Sequence, residues 1–109
     1  MSNKSPTGRT VFIANEGYHD YTEAGRWGDL VPVTRKRVDI EHTDRLQGRI
    51  HDVLQNAEKD DYLLISGSPV ISVLCAGYLF RRFGHVNVIY WDPLMGGYHT
   101  RTLTFEHKE

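Results

Sequence analysis

The stretch Asp61–Phe83, DYLLISGSPVISVLCAGYLFRRF, decides the fold. Tyr62-Leu63-Leu64-Ile65 is a short continuous apolar run, the pattern of a strand covered on both faces in a parallel sheet. Ser66-Gly67-Ser68-Pro69 breaks that run. Ser68 suits a helix N-cap, and Pro69 suits the first helical position, where its missing N–H costs nothing. Val70 to Phe80 is almost wholly apolar. Arg81 and Arg82 fall in the last turn, where cations complement the helix dipole, and Gly84 suits the position just past the end. Ile71, Leu74, Cys75, Tyr78 and Leu79 share one helical face, while Val70, Val73, Ala76 and Phe80 cover others. A helix apolar nearly all round is expected to be buried on more than one side, and a partner subunit is one candidate for the second.

Composition sets wide bounds. The 109 residues are 39% hydrophobic and 25% charged, with a formal net charge of −1. That is an ordinary soluble composition with enough chain for one modest core. The near-neutral balance provides no electrostatic reason to expect nucleic acid. The one cysteine, Cys75, lies in the apolar helix. It cannot form an internal disulfide and reads as a small buried hydrophobe, consistent with a reducing compartment. No N-terminal stretch has the apolar core of a signal peptide, and the run near 70–80 is too short to span a bilayer. A cytoplasmic protein without a membrane partner is expected.

Outward from the centre, residues 1–8 are polar, contain Pro and Gly, and read as a disordered tail before one domain over 9–106. Thr10–Ala14 is a first buried strand ending at Asn15. Asn15–Asp29, NEGYHDYTEAGRWGD, shows no period; so long a loop in a compact domain is more often functional than idle. Its aromatics, Tyr18, Tyr21 and Trp27, have a simpler reading as packing that folds the loop over the sheet. Leu30–Thr34 is a second strand, with Pro32 arguing for an edge position or an irregular start. Arg35-Lys36-Arg37 reads as a solvated turn, and Val38-Asp39-Ile40 either extends the strand or makes a short hairpin. Thr43 or Asp44 is expected to cap a helix, with Asp44 and Gln47 at capping-box spacing. Leu46, Ile50, Val53, Leu54 and Ala57 form its apolar stripe, and His51 lies on the polar side. After Gly84, His85–Trp91 is a strand stopped by Asp92-Pro93. Tyr98–Phe105 alternates, with Tyr98, Thr100, Thr102 and Thr104 on one face, so these two strands are expected to pair as a hairpin.

The fold class is therefore α/β: a small Rossmann-like domain, three-layer or two-layer, with a mostly parallel sheet of about five strands and a C-terminal antiparallel hairpin. The alternative is a two-layer α+β sandwich with both helices on one face. Open sheets of this kind bind ligands at the carboxyl ends of their strands, where strand order reverses. Those ends are Asn15, Ser66 and Asp92. The long loop adds Tyr18, His19 and Asp20 to the same rim, and Gly67 and Ser68 open a helix there, where free N–H groups favour an anion. The candidate ligand-binding set is Asn15, Tyr18, His19, Ser66, Gly67, Ser68 and Asp92. His19, Asp20 and Ser66 are the candidate catalytic residues. No Walker loop, Gly-x-Gly-x-x-Gly or Gly-x-Ser-x-Gly elbow is present, and Ser68-Pro69 has the simpler role of capping a helix. The six histidines are scattered with none paired at ligand spacing, so neither a metal nor another cofactor is expected.

In Thr43-Asp44-Arg45-Leu46 followed by Asp61-Tyr62-Leu63-Leu64-Ile65-Ser66-Gly67, the overall pattern resembles the small α/β proteins common in phage and prokaryotic genomes. That resemblance implies no activity and no site residue. Three functions compete: binding of a nucleotide or other phosphorylated small molecule at the carboxyl rim; a non-catalytic interaction module, phage- or prokaryote-type, that forms a homodimer or occludes a protein partner; and a small hydrolase using His19, Asp20 and Ser66.

Overall fold

In the computed structural model, which describes residues 8–38 and 40–105, the chain runs through β1 (Thr10–Glu16), a 3₁₀ helix (Thr22–Trp27), β2 (Asp29–Arg35), α1 (Thr43–Leu54), β3 (Tyr62–Leu64), α2 (Pro69–Phe83), β4 (His85–Asp92) and β5 (Gly97–Thr104). The strands form one sheet in the order β2-β1-β3-β4-β5. The first four are parallel, and β5 pairs antiparallel with β4 from His85 opposite Thr104 to Asp92 opposite Gly97. The expected α/β class, mostly parallel sheet and C-terminal hairpin are all present. Pro32 lies in β2, an edge strand, as its missing N–H requires.

The two faces are covered unequally. On one, Phe12, Ala14, Leu63, Val86 and Val88 pack against Leu46, Ile50 and Leu54 of α1 and Ile71, Cys75 and Leu79 of α2. On the other, Val11, Ile13, Leu64, Ile89 and Tyr98 pack against Tyr21 and Ala24. Both α-helices thus share one side, as the two-layer alternative anticipated, while the 3₁₀ segment forms a thin third layer. Part of the Asn15–Asp29 loop packs down onto the sheet. The packing reading holds for Tyr21, which is 6% exposed, and for Trp27, which packs against the second cluster, whereas Tyr18 is 89% exposed. Gly28 carries the chain back into β2 past Arg9; a Cβ there would lie 2.5 Å from the Arg9 carbonyl oxygen.

Several local expectations are corrected. The N-cap of α1 is His42, with no side-chain cap bond, so neither Thr43 nor Asp44 caps it. Residues 38 and 40 lie outside any strand, Val38 packing against the first cluster; Asp39 lies outside the described residues, as does the N-terminal tail apart from Gly8. Ser68 and Pro69 do start α2, and Gly84 closes it at φ 76°. However, α2 is not covered all round: Val70 is 42% and Val73 69% exposed. His51 is exposed, yet its Nδ1 lies 2.9 Å from the Tyr78 hydroxyl. Burial pushes the Cys75 thiol up to about 12, so it is an inert core atom. Among the described residues, no helix is long and apolar enough to cross a membrane.

Two charged side chains hold loop backbone in place. The buried Asp61 carboxylate accepts from Thr10 N–H at 2.9 Å and Glu58 N–H at 2.8 Å, joining the start of β1 to the approach to β3. Arg82 Nη1 lies 2.8, 3.1 and 3.0 Å from the carbonyl oxygens of Leu54, Gln55 and Ala57, closing the end of α1 from α2. Hydrogen bonds to a charged donor typically contribute about 1.5–3 kcal/mol. Arg82→Ala and Arg82→Met should each lower unfolding free energy by about 2 kcal/mol in urea titrations, since Met keeps the stem but not the donors. If Met restored wild-type stability, the stem rather than the guanidinium would be the stabilising part.

Candidate functional site

The site lies where the sheet reverses direction. From β1 the chain steps to β2 on one side, whereas from β3 it steps to β4 on the other. The carboxyl ends of β1 and β3 therefore diverge, leaving a crevice at the rim. A cavity of about 360 Å³ occupies it, lined by His19, Asp20, Ser66, Trp91 and Tyr98. The loop after β1 brings the first two, the turn after β3 brings Ser66, and the β4–β5 hairpin brings the last two, which are cross-strand partners.

Each wall is built locally. Asp20 Oδ1 accepts from Thr22 Oγ1 at 2.5 Å and Thr22 N–H at 2.9 Å, a turn that starts the 3₁₀ helix. Those bonds, the side-chain one foremost, hold its carboxyl below the usual range. The Tyr21 hydroxyl accepts from Gly17 N–H at 3.0 Å and lies 2.7 Å from Ser66 Oγ. That pair fastens the loop after β1 onto the turn after β3 and sets one edge of the cavity. His19 meets Tyr21 edge-on at 6.1 Å between centroids, and Trp91 meets Tyr98 edge-on at 5.2 Å. Trp91 is 52% exposed, so one side of its ring is accessible. Burial, then the acidic groups of Tyr21, Asp20 and Glu23, raise the Tyr98 phenol above its ordinary value. Among the described residues, neither Lys nor Arg lines the cavity.

The structure thus places His19, Asp20 and Ser66 around one space. Among the described residues, however, no hydrogen bond joins His19 to Asp20 or to Ser66; the bonds run Asp20–Thr22 and Ser66–Tyr21. The other sequence candidates sit outside the lining. Asn15 is held at the end of β1, its Oδ1 accepting from Thr34 Oγ1 at 3.1 Å, and it presses against Gly67. Ser68 is the N-cap of α2 without a side-chain cap bond. Asp92 Oδ1 accepts from Leu94 and Met95 N–H at 2.9 and 3.3 Å, which holds the hairpin turn. Tyr18 points its ring to Lys36, whose Nζ is 5.5 Å from the centroid. Tyr21, Trp91 and Tyr98 were outside the candidate site set. The alternation of the last strand placed Tyr98 on one face, but only register with β4 pairs it with Trp91.

Fold and cavity together define a small α/β domain with a ligand-sized crevice at its topological switch point. A family model described as phage Pam3 gp32-like protein matches residues 9–104, and the chain belongs to that family. No curated protein and no solved structure matches the chain.

Gly67 has φ +73°, and a Cβ there would lie 2.6 Å from Asn15 Nδ2. Gly67→Ala should therefore cost more than the ~1–2 kcal/mol of a left-handed backbone alone. Removing the obstruction with Asn15→Gly should return part of that cost, as a favourable coupling of about 1 kcal/mol in a double-mutant cycle. A coupling of zero would mean that Asn15 does not set the room at this turn.

Proposed function

We propose that the protein binds a small ring-bearing ligand of nucleoside or nucleotide type in the switch-point cavity. The observation that carries this reading is the lining itself: an accessible Trp91 face, the rings of Tyr98 and His19, and the oxygens of Ser66 and Asp20 converge on about 360 Å³. Flat rings stack on such aromatics, and convergent polar groups fix their orientation. Asp20 Oδ1 takes both Thr22 bonds, leaving Oδ2 to accept from an amino group of a base. The expected anionic ligand is supported differently. Neither Lys nor Arg lines the cavity, and the Arg26 guanidinium beside it is turned to the Tyr98 carbonyl oxygen at 3.4 Å, so a phosphate is better served by the first turn of α2, where backbone N–H groups lack partners within the helix. Membership of a phage-named family supports a phage-type accessory role and is compatible with this reading. Catalysis by His19, Asp20 and Ser66 has weaker support, because neither acid–base pair is hydrogen-bonded.

A melting-temperature screen against nucleosides, nucleotides and inorganic phosphate tests this. Ligand at about 100 times its dissociation constant adds roughly 2.7 kcal/mol, a rise of about 10 °C or more for a domain of this size. Nucleosides should give most of the shift, quench tryptophan fluorescence, and lose both effects in Trp91→Ala. A shift from phosphate alone, or one unchanged in Trp91→Ala, would overturn the reading.

A further inference from the structure

A second cavity, of about 370 Å³, opens on the thinly covered face of the sheet toward the amino ends of β1, β3 and β4. Its lining is polar, with Arg9 and Asp60 on one side and Arg101 on the other. We propose that it binds a phosphorylated sugar, with the phosphate held by Arg101 and the sugar hydroxyls by Asp60. The proposal is independent of the nucleoside reading of the switch-point cavity.

The floor is one row of the sheet. Tyr62 of β3 lies opposite Asn87 of β4, and Asn87 lies opposite Thr102 of β5. Tyr62 is also opposite Val11, a member of the second cluster, so the row faces that cluster's side. Thr100 is the next residue of β5 on the same face. Asn87 fixes this row. Its Nδ2 donates to the carbonyl oxygens of Lys59 and Asp61, both at 3.2 Å, and its Oδ1 accepts from Thr102 Oγ1 at 2.7 Å. Those two carbonyls flank Asp60, so one amide sets Asp60 at the rim. The Asp61 carboxylate, bonded to Thr10 N–H at 2.9 Å, sets the residue after Arg9 in the same way. Arg101 comes from the opposite wall. Its strand neighbour Val88 belongs to the first cluster, so alternation starts Arg101 on the helix side. Because β5 is an edge strand, the side chain can turn back there; Nη1 donates to the Thr100 carbonyl oxygen at 3.0 Å, and Arg101 lines the cavity.

The two ends of the cavity offer different chemistry. At the β5 end, Arg101 keeps its other N–H donors, and the Thr100 hydroxyl has no partner among the described residues. A planar guanidinium fork with a hydroxyl beside it matches the oxygens of a phosphate. At the other end, Arg9 and Asp60 stand before the neighbouring strands β1 and β3. The Asp60 carboxylate accepts and an arginine donates, which are the two roles a sugar hydroxyl needs met. Thr102 Oγ1, its proton given to Asn87, is a further acceptor. Between the ends lies the half-buried Tyr62, whose ring is a flat surface for the C–H side of a sugar. Asp60 repels a second anion at its end. One phosphate beside Arg101, followed by neutral hydroxyls, is therefore the pattern that the lining complements, and the volume is that of a small-ligand site.

Amide NMR titration of the full chain with ribose 5-phosphate, glucose 6-phosphate and inorganic phosphate tests the proposal. At least one of the two sugar phosphates should bind with a dissociation constant below about 1 mM and move the signals of Asn87, Thr100, Arg101 and Thr102. Inorganic phosphate should bind about ten-fold more weakly, since it leaves the Asp60 end empty. Arg101→Ala should weaken the sugar phosphate about ten-fold or more. Asp60→Asn should weaken it about three-fold or more without weakening inorganic phosphate. Arg101 and Asp60 are both exposed, so these variants should keep the wild-type spectrum away from the cavity. No binding of either sugar phosphate, binding indifferent to Arg101→Ala, or shifts confined to residues 67–71 at the start of α2 would overturn the proposal. Nucleosides should instead move Ser66, Trp91 and Tyr98, so the two readings fail separately.

Discussion

The direction of the chain's steps across the sheet is the constraint from which the rest of the structure follows. β1 to β2 steps one way; β2 to β3 and β3 to β4 step the other. Parallel strands joined by crossovers of one hand must then place the first connection on one face and the next two on the opposite face. The two later connections are long enough to be helices, and they cover one face well. The first is short and aperiodic, so its face receives only a six-residue 3₁₀ helix and the rings of Tyr21 and Trp27. Unequal coverage follows, and with it the open space beside Trp91 and Tyr98 on the thinly covered side.

Because β3 contributes only three ladder residues, its place in the sheet depends on side chains at both ends. At the amino end, the Asp61 carboxylate collects N–H groups of Thr10 and Glu58. At the carboxyl end, Ser66 meets Tyr21, and Gly67 turns so closely against Asn15 that no Cβ fits. Thr34, fully buried in β2, donates to the Ala14 carbonyl at 2.7 Å and to Asn15, so the same corner is tied across β1 as well. These bonds make the crevice a fixed shape rather than a gap between loops. They also give Ser66, read from sequence as a catalytic and ligand-binding candidate, and Asn15, read as a ligand-binding one, a structural role.

The elements most legible in the sequence were those with a local signal. Ser68-Pro69 and Gly84 bound α2, and the stripe Leu46, Ile50, Leu54 marked α1, because caps and 3.6-residue periodicity act within one helix. Pro32 marked the edge for a similar reason. The start of α1 was misread because capping preference is weak beside the geometry of the incoming chain, which places His42 at the cap. The carboxyl rim was legible from topology, and three of its cavity-lining residues, His19, Asp20 and Ser66, were named. Trp91 and Tyr98 were not, since their pairing is a matter of register between strands. The 3₁₀ helix and the Tyr21–Ser66 bond were hidden for the same reason: their stabilisation comes from tertiary packing, 45 residues apart in sequence for that bond.

α2 is packed on one face and open on the other. Its first turn follows directly on Gly67, beside the crevice, while its outer residues Val73, Gly77 and Arg81 line a groove between α1 and α2 on the far side. Its inner residues Ile71, Cys75 and Leu79 are buried in the sheet, and Arg82 fixes its last turn to the end of α1. A helix held at both ends and along one face has little freedom to slide, because close-packed interiors transmit displacement rather than absorb it.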